Sequence, residues 1–233
     1  MGEPRAILFD AVGTLMRPEP SVSGAYTAVA ARHGVTLDQA EVERRFRQAF
    51  ARQDAIDAAE RDNRTDQQRE RQRWRGIVDD VFGEIPQTDA IFADLWDHFA
   101  DARNWRLFDD VADIWRRLDR AGFTLGIASN FDDRLAGVCQ HLPPLDRCQN
   151  LFVSSQVGWR KPGRGFFAAI EAQLSLSPAE LMLVGDDVTN DLQAAQAAGW
   201  QALLLDRAAS DCNACPANSI HTLAAVWDRI SPV

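Results

Sequence analysis

Four short stretches of this sequence end in side chains that can act together on an anion. The apolar run at 6–9 leads into Asp10, Gly13 and Thr14, and the run at 123–128 leads into Ser129 and Asn130. A third run, at 150–153, is followed at a short interval by Lys161 and Pro162, and a fourth, at 181–184, opens into GDDVTND with Asp186, Asp187 and Asp191. In an open parallel sheet the ligand site lies beyond the carboxyl ends of the strands, which places these residues on one rim. A group of carboxylates suits a hard divalent cation such as Mg²⁺, which takes oxygen ligands and leaves room for substrate oxygens. Ser129 and Lys161 then suit the substrate's anionic group. Lys161 is the single lysine beside 24 arginines. A genome rich in G and C replaces lysine wherever only charge matters, and a position that kept it points to a need for a compact ammonium on a flexible stem.

The elements that must carry these residues read as a βα repeat. Short runs rich in Ile, Leu, Val and Phe at 6–9, 123–128, 150–153, 181–184 and 201–205 predict buried parallel strands. Helical periods lie between the later runs, at 111–122, 166–174 and 191–200. Ser177, Pro178 and Glu180 form a cap, a first-turn proline and a capping-box acid for a short turn into the strand at 181. The alternation predicts an α/β fold with a doubly wound parallel sheet. The repeat is interrupted from Arg17 to about Phe108, where no convincing strand occurs and the periods at Tyr26–Val29–Ala30, Val42–Phe46–Phe50, Trp74–Ile77–Val81 and Ile91–Leu95–Phe99 are helical. We expect an α/β core from 1–16 and 106–233 with an all-helical domain, 17–105, inserted after the first strand. The six arginines between Arg61 and Arg75 read as a solvated helix face with interspersed acids.

In order and over essentially the full chain, DAVGTL, GIASN, RKP and VGDDVTND resemble the motifs of the haloacid dehalogenase (HAD) superfamily of hydrolases. The resemblance implies a Rossmann-type core, a helical cap that closes over the site and selects substrate, and Mg²⁺ as cofactor. It makes Asp10 the nucleophile that accepts a phosphoryl group from a small phosphorylated metabolite. Thr14, Ser129, Asn130 and Lys161 would hold the phosphoryl oxygens. Mg²⁺ would be held by Asp10, the backbone carbonyl of Val12, Asp186 and Asp187, with Asp191 as a ligand or as support to one. These roles make physical sense: screening by metal and ammonium lets a carboxylate attack an anion, and the phosphoaspartate splits one hard step into two.

One position departs from the pattern. The second carboxylate of the first motif, which in family phosphatases protonates the leaving group and then activates water, is Val12 here. A positioned acid/base contributes about 10²–10⁴ in rate, so alkyl phosphates are expected to turn over weakly unless Asp187 or Glu19 substitutes. A good leaving group needs less help. Family 2-haloacid dehalogenases also lack that carboxylate, and their first motif resembles DAYGTL. They need no metal, however, which would leave Asp186, Asp187 and Asp191 as an unneutralised concentration of like charge. Phosphonoacetaldehyde hydrolase uses a cap lysine, and 17–105 contains none. A noncatalytic binding relative is the remaining alternative, although a pure scaffold has no need for Asp10, Ser129, Lys161 and the metal carboxylates together.

Composition narrows the partners. The chain has 233 residues, 46% of them hydrophobic, and a net charge of −9. That acidity argues against nucleic acid or an anionic membrane surface as the partner. No apolar stretch reaches about 18 residues, and we expect a cytoplasmic protein, monomer or homodimer. Gly2 lacks the Ser or Thr at position 6 that a myristoylation motif takes, having Ala6. Cys139, Cys148, Cys212 and Cys215 read as free thiols; a zinc site would call for two tight pairs, and only Cys212 and Cys215 are close. Trp159 is a candidate for the pocket mouth, Ser21 and Ser23 can face the site, and Tyr26 is assigned to helix packing.

Overall fold

The computed structural model describes residues 3–59, 63–208 and 218–230, so that Gly2, Arg61, Cys212 and Cys215 lie outside the described residues. The chain opens with β1 (Ala6–Phe9) and β2 (Met16–Pro18), continues through helices α1 (Val22–Arg32), α2 (Gln39–Ala59), α3 (Gln67–Phe82) and α4 (Thr88–Ala100), and returns at β3 (Trp105–Leu107). Strands and helices then alternate: α5 (Val111–Arg120), β4 (Thr124–Ser129), α6 (Arg134–Cys139), β5 (Asn150–Val153), α7 (Ser154–Val157) and α8 (Arg164–Leu174). The last part runs through β6 (Leu181–Gly185), α9 (Ala194–Ala197), β7 (Gln201–Leu205), β8 (Ser219–Ile220) and α10 (Ala225–Ile230).

Among the described residues, six strands form one parallel sheet in the order β5-β4-β1-β6-β7-β8. Strand β1 is central because it is buried over its whole length, apolar on both faces. Ile7 and Phe9 pack with Val184, Ile127 and the α5 side chains Ile114 and Leu118 on one face. Ala6 and Leu8 pack with Leu183, Phe152 and the α8 side chains Phe166 and Ile170 on the other. From β1 the chain order proceeds outward in both directions, to β4 and to β6, so the ends of these three strands frame the crevice where a doubly wound sheet binds ligands.

Helices α1 to α4 have a separate core that includes Tyr26, Val29, Val42, Ile77, Val81, Ile91 and Leu95. Ser21 caps α1 by accepting from the Gly24 amide at 3.2 Å, and Asp66 caps α3 by accepting from the Arg69 amide at 2.8 Å. The capping box before β6 is present: Glu180 accepts from the amide and hydroxyl of Ser177 at 2.9 and 2.7 Å. Among the described residues no helix is long and apolar enough to cross a membrane.

The structure departs from the sequence expectation in three places. Residues 17–105 are not wholly helical, because β2 and β3 pair antiparallel, Met16 with Leu107 and Pro18 with Trp105. Three-residue strands are too short to show a period. The stretch at 191–200 is not one regular helix, for Val188–Gln193 forms a π turn before α9. The arginine-rich stretch is not simply solvated: Glu70 and Arg73 of α3 are 1% and 7% exposed. Both fall on the same helix face as Ile77 and Val81, so the hydrophobic period draws their charges inward, where partners neutralise them.

Candidate active site

Asp10 leaves the end of β1 with its amide donating to the Val184 carbonyl at 2.9 Å, which ties it to the end of β6. The turn that follows closes through the Gly13 amide to the Met16 carbonyl and the Met16 amide to the Ala11 carbonyl; the carbonyl of Val12 takes no part in these bonds. Gly13 sits at φ 91°, and a β-carbon there would collide with the Asp186 carboxylate. Gly185 plays the same part for Asp191, whose carboxylate occupies the space a β-carbon would take. The two glycines thus let carboxylates press against backbone. The π turn carries Asp191 back toward β6, and such turns recur where a side chain must be re-aimed at a site.

Asp10, Asp186 and Asp191 each offer an oxygen within 4.8 Å of the others. The Lys161 ammonium, 2% exposed at its side chain, donates to Asp10 Oδ1 at 2.9 Å, Asp191 Oδ1 at 2.5 Å and the Ala128 carbonyl at 2.8 Å. Burial pushes the carboxyl groups of Asp10 and Asp191 above their usual range, against the pull of Lys161. Lys161 is raised in turn: burial disfavours its charge, but Asp10 and Asp191 more than offset that, and it stays an ammonium. Three carboxylates against one ammonium leave two negative charges concentrated on oxygens, which matches the charge and hardness of a divalent cation.

Neighbouring residues brace this cluster. The Ser129 hydroxyl, buried at the end of β4, supports the Asp10 carboxylate. Asn130 is joined twice to the backbone of Lys161, its Nδ2 donating to the carbonyl and its Oδ1 accepting from the amide, both at 2.8 Å. Its side chain therefore positions Lys161. Thr14, expected against the substrate, is fully buried, and its hydroxyl instead donates to Asp186 Oδ1 at 2.8 Å. Asp187, expected among the metal ligands, instead caps the π turn, its Oδ1 accepting from the amides of Thr189 and Asn190 at 2.8 Å. Glu19, weighed as a substitute acid, is half exposed and faces Arg106 at 3.9 Å, away from the cavity.

A cavity of about 500 Å³ covers the rim, lined on one side by Asp10, Ser129 and Lys161 and on the other by α1 to α4. Val12 is among its lining residues. Tyr26 lines it as well as packing edge-on against Phe46 at 5.4 Å. Trp159 does not line it; Arg64 lies over its ring at 5.3 Å. Neither Ser21 nor Ser23 reaches the wall, the first capping α1 and the second accepting from Thr27 through its backbone carbonyl.

A model of the haloacid dehalogenase-like hydrolases matches residues 4–199. The chain belongs to that family. The haloacid dehalogenase-like hydrolase domain-containing protein 3 of Danio rerio is 26% identical over 208 residues, 87% of this chain and 85% of the relative. Among solved structures of the family, the HAD-hydrolase YfnB of Bacillus subtilis, bound to magnesium, superposes with a TM-score of 0.77 at 16% identity, over 99% of this chain and 100% of that one. The defluorinating L-2-haloacid dehalogenase Rha0230 superposes with a TM-score of 0.77 at 20% identity, over 97% and 95%. HAD hydrolases of this fold thus include both phosphatases and haloacid dehalogenases.

In this HAD hydrolase the helical layer is tied to the rim by contacts that the motifs did not reveal. Glu70 of α3 accepts two bonds from Arg160 Nη1 at 2.7 Å each, one from the Thr65 hydroxyl at 2.8 Å and one from Ser154 at 3.3 Å. Arg160 immediately precedes Lys161, so the ion pair holds α3 to the segment that carries the ammonium. Arg134, paired with the buried Asp132 at 2.6 Å, lies 3.6 Å over the Trp96 ring of α4. The usable signal was a charge on the buried period of α3, which requires a partner.

Proposed function

We propose that this protein is a Mg²⁺-dependent phosphatase of small phosphorylated metabolites, with Asp10 as the phosphoryl acceptor. The observation that carries the reading is the carboxylate cluster: Asp186 and Asp191 crowd against Asp10 with one ammonium among them, an arrangement that repels an anionic substrate unless a cation joins it. Asp10, Asp186, Asp191 and the free Val12 carbonyl offer the hard oxygen donors that Mg²⁺ takes. Bound there, Mg²⁺ would screen the phosphoryl oxygens and stabilise the charge of the transition state.

The residues of the chain then divide the work. Lys161 holds Asp10 Oδ1, which orients the other oxygen toward the cavity, and its ammonium offsets charge on the phosphoryl group. That oxygen attacks phosphorus, the bond from phosphorus to the leaving oxygen breaks with its electron pair, and an aspartyl phosphate forms. Ser129 donates to a phosphoryl oxygen. Water then attacks the aspartyl phosphate, releasing inorganic phosphate and restoring the carboxylate.

Dehalogenation is the second reading, favoured by Val12 and by the apolar walls of the cavity. There Asp10 would attack carbon and displace halide, with no acid needed. Hydrolysis of p-nitrophenyl phosphate, with and without Mg²⁺ and beside Asp10→Asn, separates the two. Metal-dependent release lost in the variant supports the phosphatase; halide release from 2-chloropropionate without metal, and no phosphate release, overturns it.

A further inference from the structure

Nine of the 28 residues that line the cavity over Asp10 are aromatic, where the chain as a whole is 9% aromatic. All four helices of the helical layer contribute: Tyr26 from α1, Phe46 and Phe50 from α2, Trp74 from α3, and Trp96 and Phe99 from α4. The rings form a connected wall. Tyr26 meets Phe46 at 5.4 Å, Phe46 meets Phe50 at 5.9 Å and Phe50 meets Trp74 at 6.3 Å, in tilted or edge geometries. Phe50 is 36% exposed and marks the mouth.

Two further observations narrow what belongs there. Tyr26 is 1% exposed, yet its hydroxyl has no hydrogen-bond partner among the described residues. Burial pushes that phenol up, so it remains a hydroxyl able to donate to a ligand atom. At the rim, the lining residue at position 12 is a valine, which can give no proton to a departing oxygen. Of the other carboxylates on the wall, Asp186 and Asp191 belong to the cluster, Asp187 is engaged by backbone amides, and Asp54 of α2 is paired with Arg73 at 2.5 Å.

We propose that the substrate is an aryl phosphate monoester, the phosphoric ester of a small phenol, whose ring is held by the aromatic wall and whose phenolate leaves without proton donation. The proposal rests on the phosphatase reading above. The balance is simple: the Asp10 carboxylate forms the new bond to phosphorus, the aryl oxygen departs with the electron pair of the bond that breaks, and the phenolate takes its proton from water. Phenolates are stable enough to leave unaided, whereas alkoxides are not. An apolar aromatic wall and a missing acid thus call for the same leaving group. Tyr26 gives its hydrogen bond to an acceptor substituent on the ring.

The test compares p-nitrophenyl phosphate, acetyl phosphate and hexyl phosphate with the Mg²⁺-supplied full chain, each against Asp10→Asn. We expect kcat/KM for the aryl ester to exceed that for the alkyl ester by about 10²–10⁴, the contribution an acid would have made. Phe50→Ala, at the exposed mouth, is expected to raise KM for the aryl ester by about two- to tenfold, with acetyl phosphate, too small to reach the rings, unaffected. Acetyl phosphate preferred to the aryl ester, with Phe50→Ala inert toward both, overturns the aryl assignment and leaves the phosphatase standing. Hexyl phosphate turned over as well as the aryl ester, and lost in Asp54→Asn, also overturns it and makes Asp54 the acid. Phosphate release from none of the three removes the phosphatase reading itself.

Discussion

Replacing Glu70 with alanine strips the Arg160 guanidinium of its partner in a place where little of it meets water. The side chains of Glu70 and Arg160 are 2% and 10% exposed, and both short bonds run between the same two groups. The remaining carboxylate near Arg160, Asp57, stands 3.7 Å away and is already bonded to Arg73 at 2.8 Å. Removing one member of a buried pair costs about 3–5 kcal/mol, and the Thr65 hydroxyl loses its 2.8 Å acceptor at the same time. For a chain of this length that corresponds to a fall in Tm of about 6–20 °C. Thermal and urea unfolding followed by the fluorescence of the seven tryptophans measures it directly, since Trp159 adjoins Arg160. The double replacement Glu70→Leu with Arg160→Met should recover most of the loss, because it leaves no uncompensated charge behind. A fall in Tm of less than about 2 °C for Glu70→Ala, equivalent to under ~1 kcal/mol, would refute the reasoning, and so would a double variant as unstable as the single one.

Saturating Mg²⁺ should raise Tm: at a concentration a hundred times Kd the gain is about 2.7 kcal/mol, or about 5–11 °C. Asp186→Asn, which keeps an oxygen to accept from Thr14, should abolish that shift while leaving the metal-free Tm within a few degrees, as scanning fluorimetry would show. Gly185→Ala should also erase it, because the added methyl displaces the Asp191 carboxylate; an unchanged Mg²⁺ shift would mean that Asp191 is not needed for the cation. Burial pushes Cys139 up to about 12 and Cys148 up to about 11. At pH 8 the Cys139 thiolate is then about one part in ten thousand, so peptides carrying these two cysteines should stay unlabelled by iodoacetamide in the native protein and react in urea; rapid native labelling in a peptide-mapping experiment would contradict the burial.

The strands were legible because a parallel strand buried on both faces leaves an unbroken apolar run, and Ala6–Phe9, Asn150–Val153 and Gln201–Leu205 coincide with such runs. The site residues were legible because the fold puts chemistry at strand ends: Ser129 is the last residue of β4, and Asp10 and Asp186 directly follow β1 and β6. What a side chain does once there was less legible. Thr14, Asn130 and Asp187 have the same residue types as groups that bind substrate or metal, but each finds a closer partner in a neighbour or the backbone, and no pattern in the sequence states which of two acceptors lies nearer. The cavity wall was illegible for a different reason. Tyr26, Phe50, Trp74 and Phe99 read correctly as the apolar faces of helices, yet the same face serves a core and a cavity, and only the distance between helices decides which. The ion pair of Glu70 with Arg160 joins residues 90 apart, beyond the reach of any local period.

The pairing of β2 with β3 has a meaning for how such a chain can be rebuilt. The polypeptide leaves the sheet layer at Met16–Pro18 and comes back at Trp105–Leu107, with Pro18 directly opposite Trp105. Opposed residues of antiparallel strands stand about 4.5–5.5 Å apart, a gap that a two-residue hairpin spans. The whole helical layer therefore hangs from the sheet as if from a two-stranded stalk. Closing the stalk with a short turn, or splicing another helical layer onto the same two strands, removes Glu70 and so also calls for Arg160→Met, while none of the residues removed belongs to the six-stranded sheet. Exchange of that kind would carry the aromatic wall away as one cassette and leave Asp10, Lys161 and the acidic cluster in place, separating what the protein selects from how it reacts.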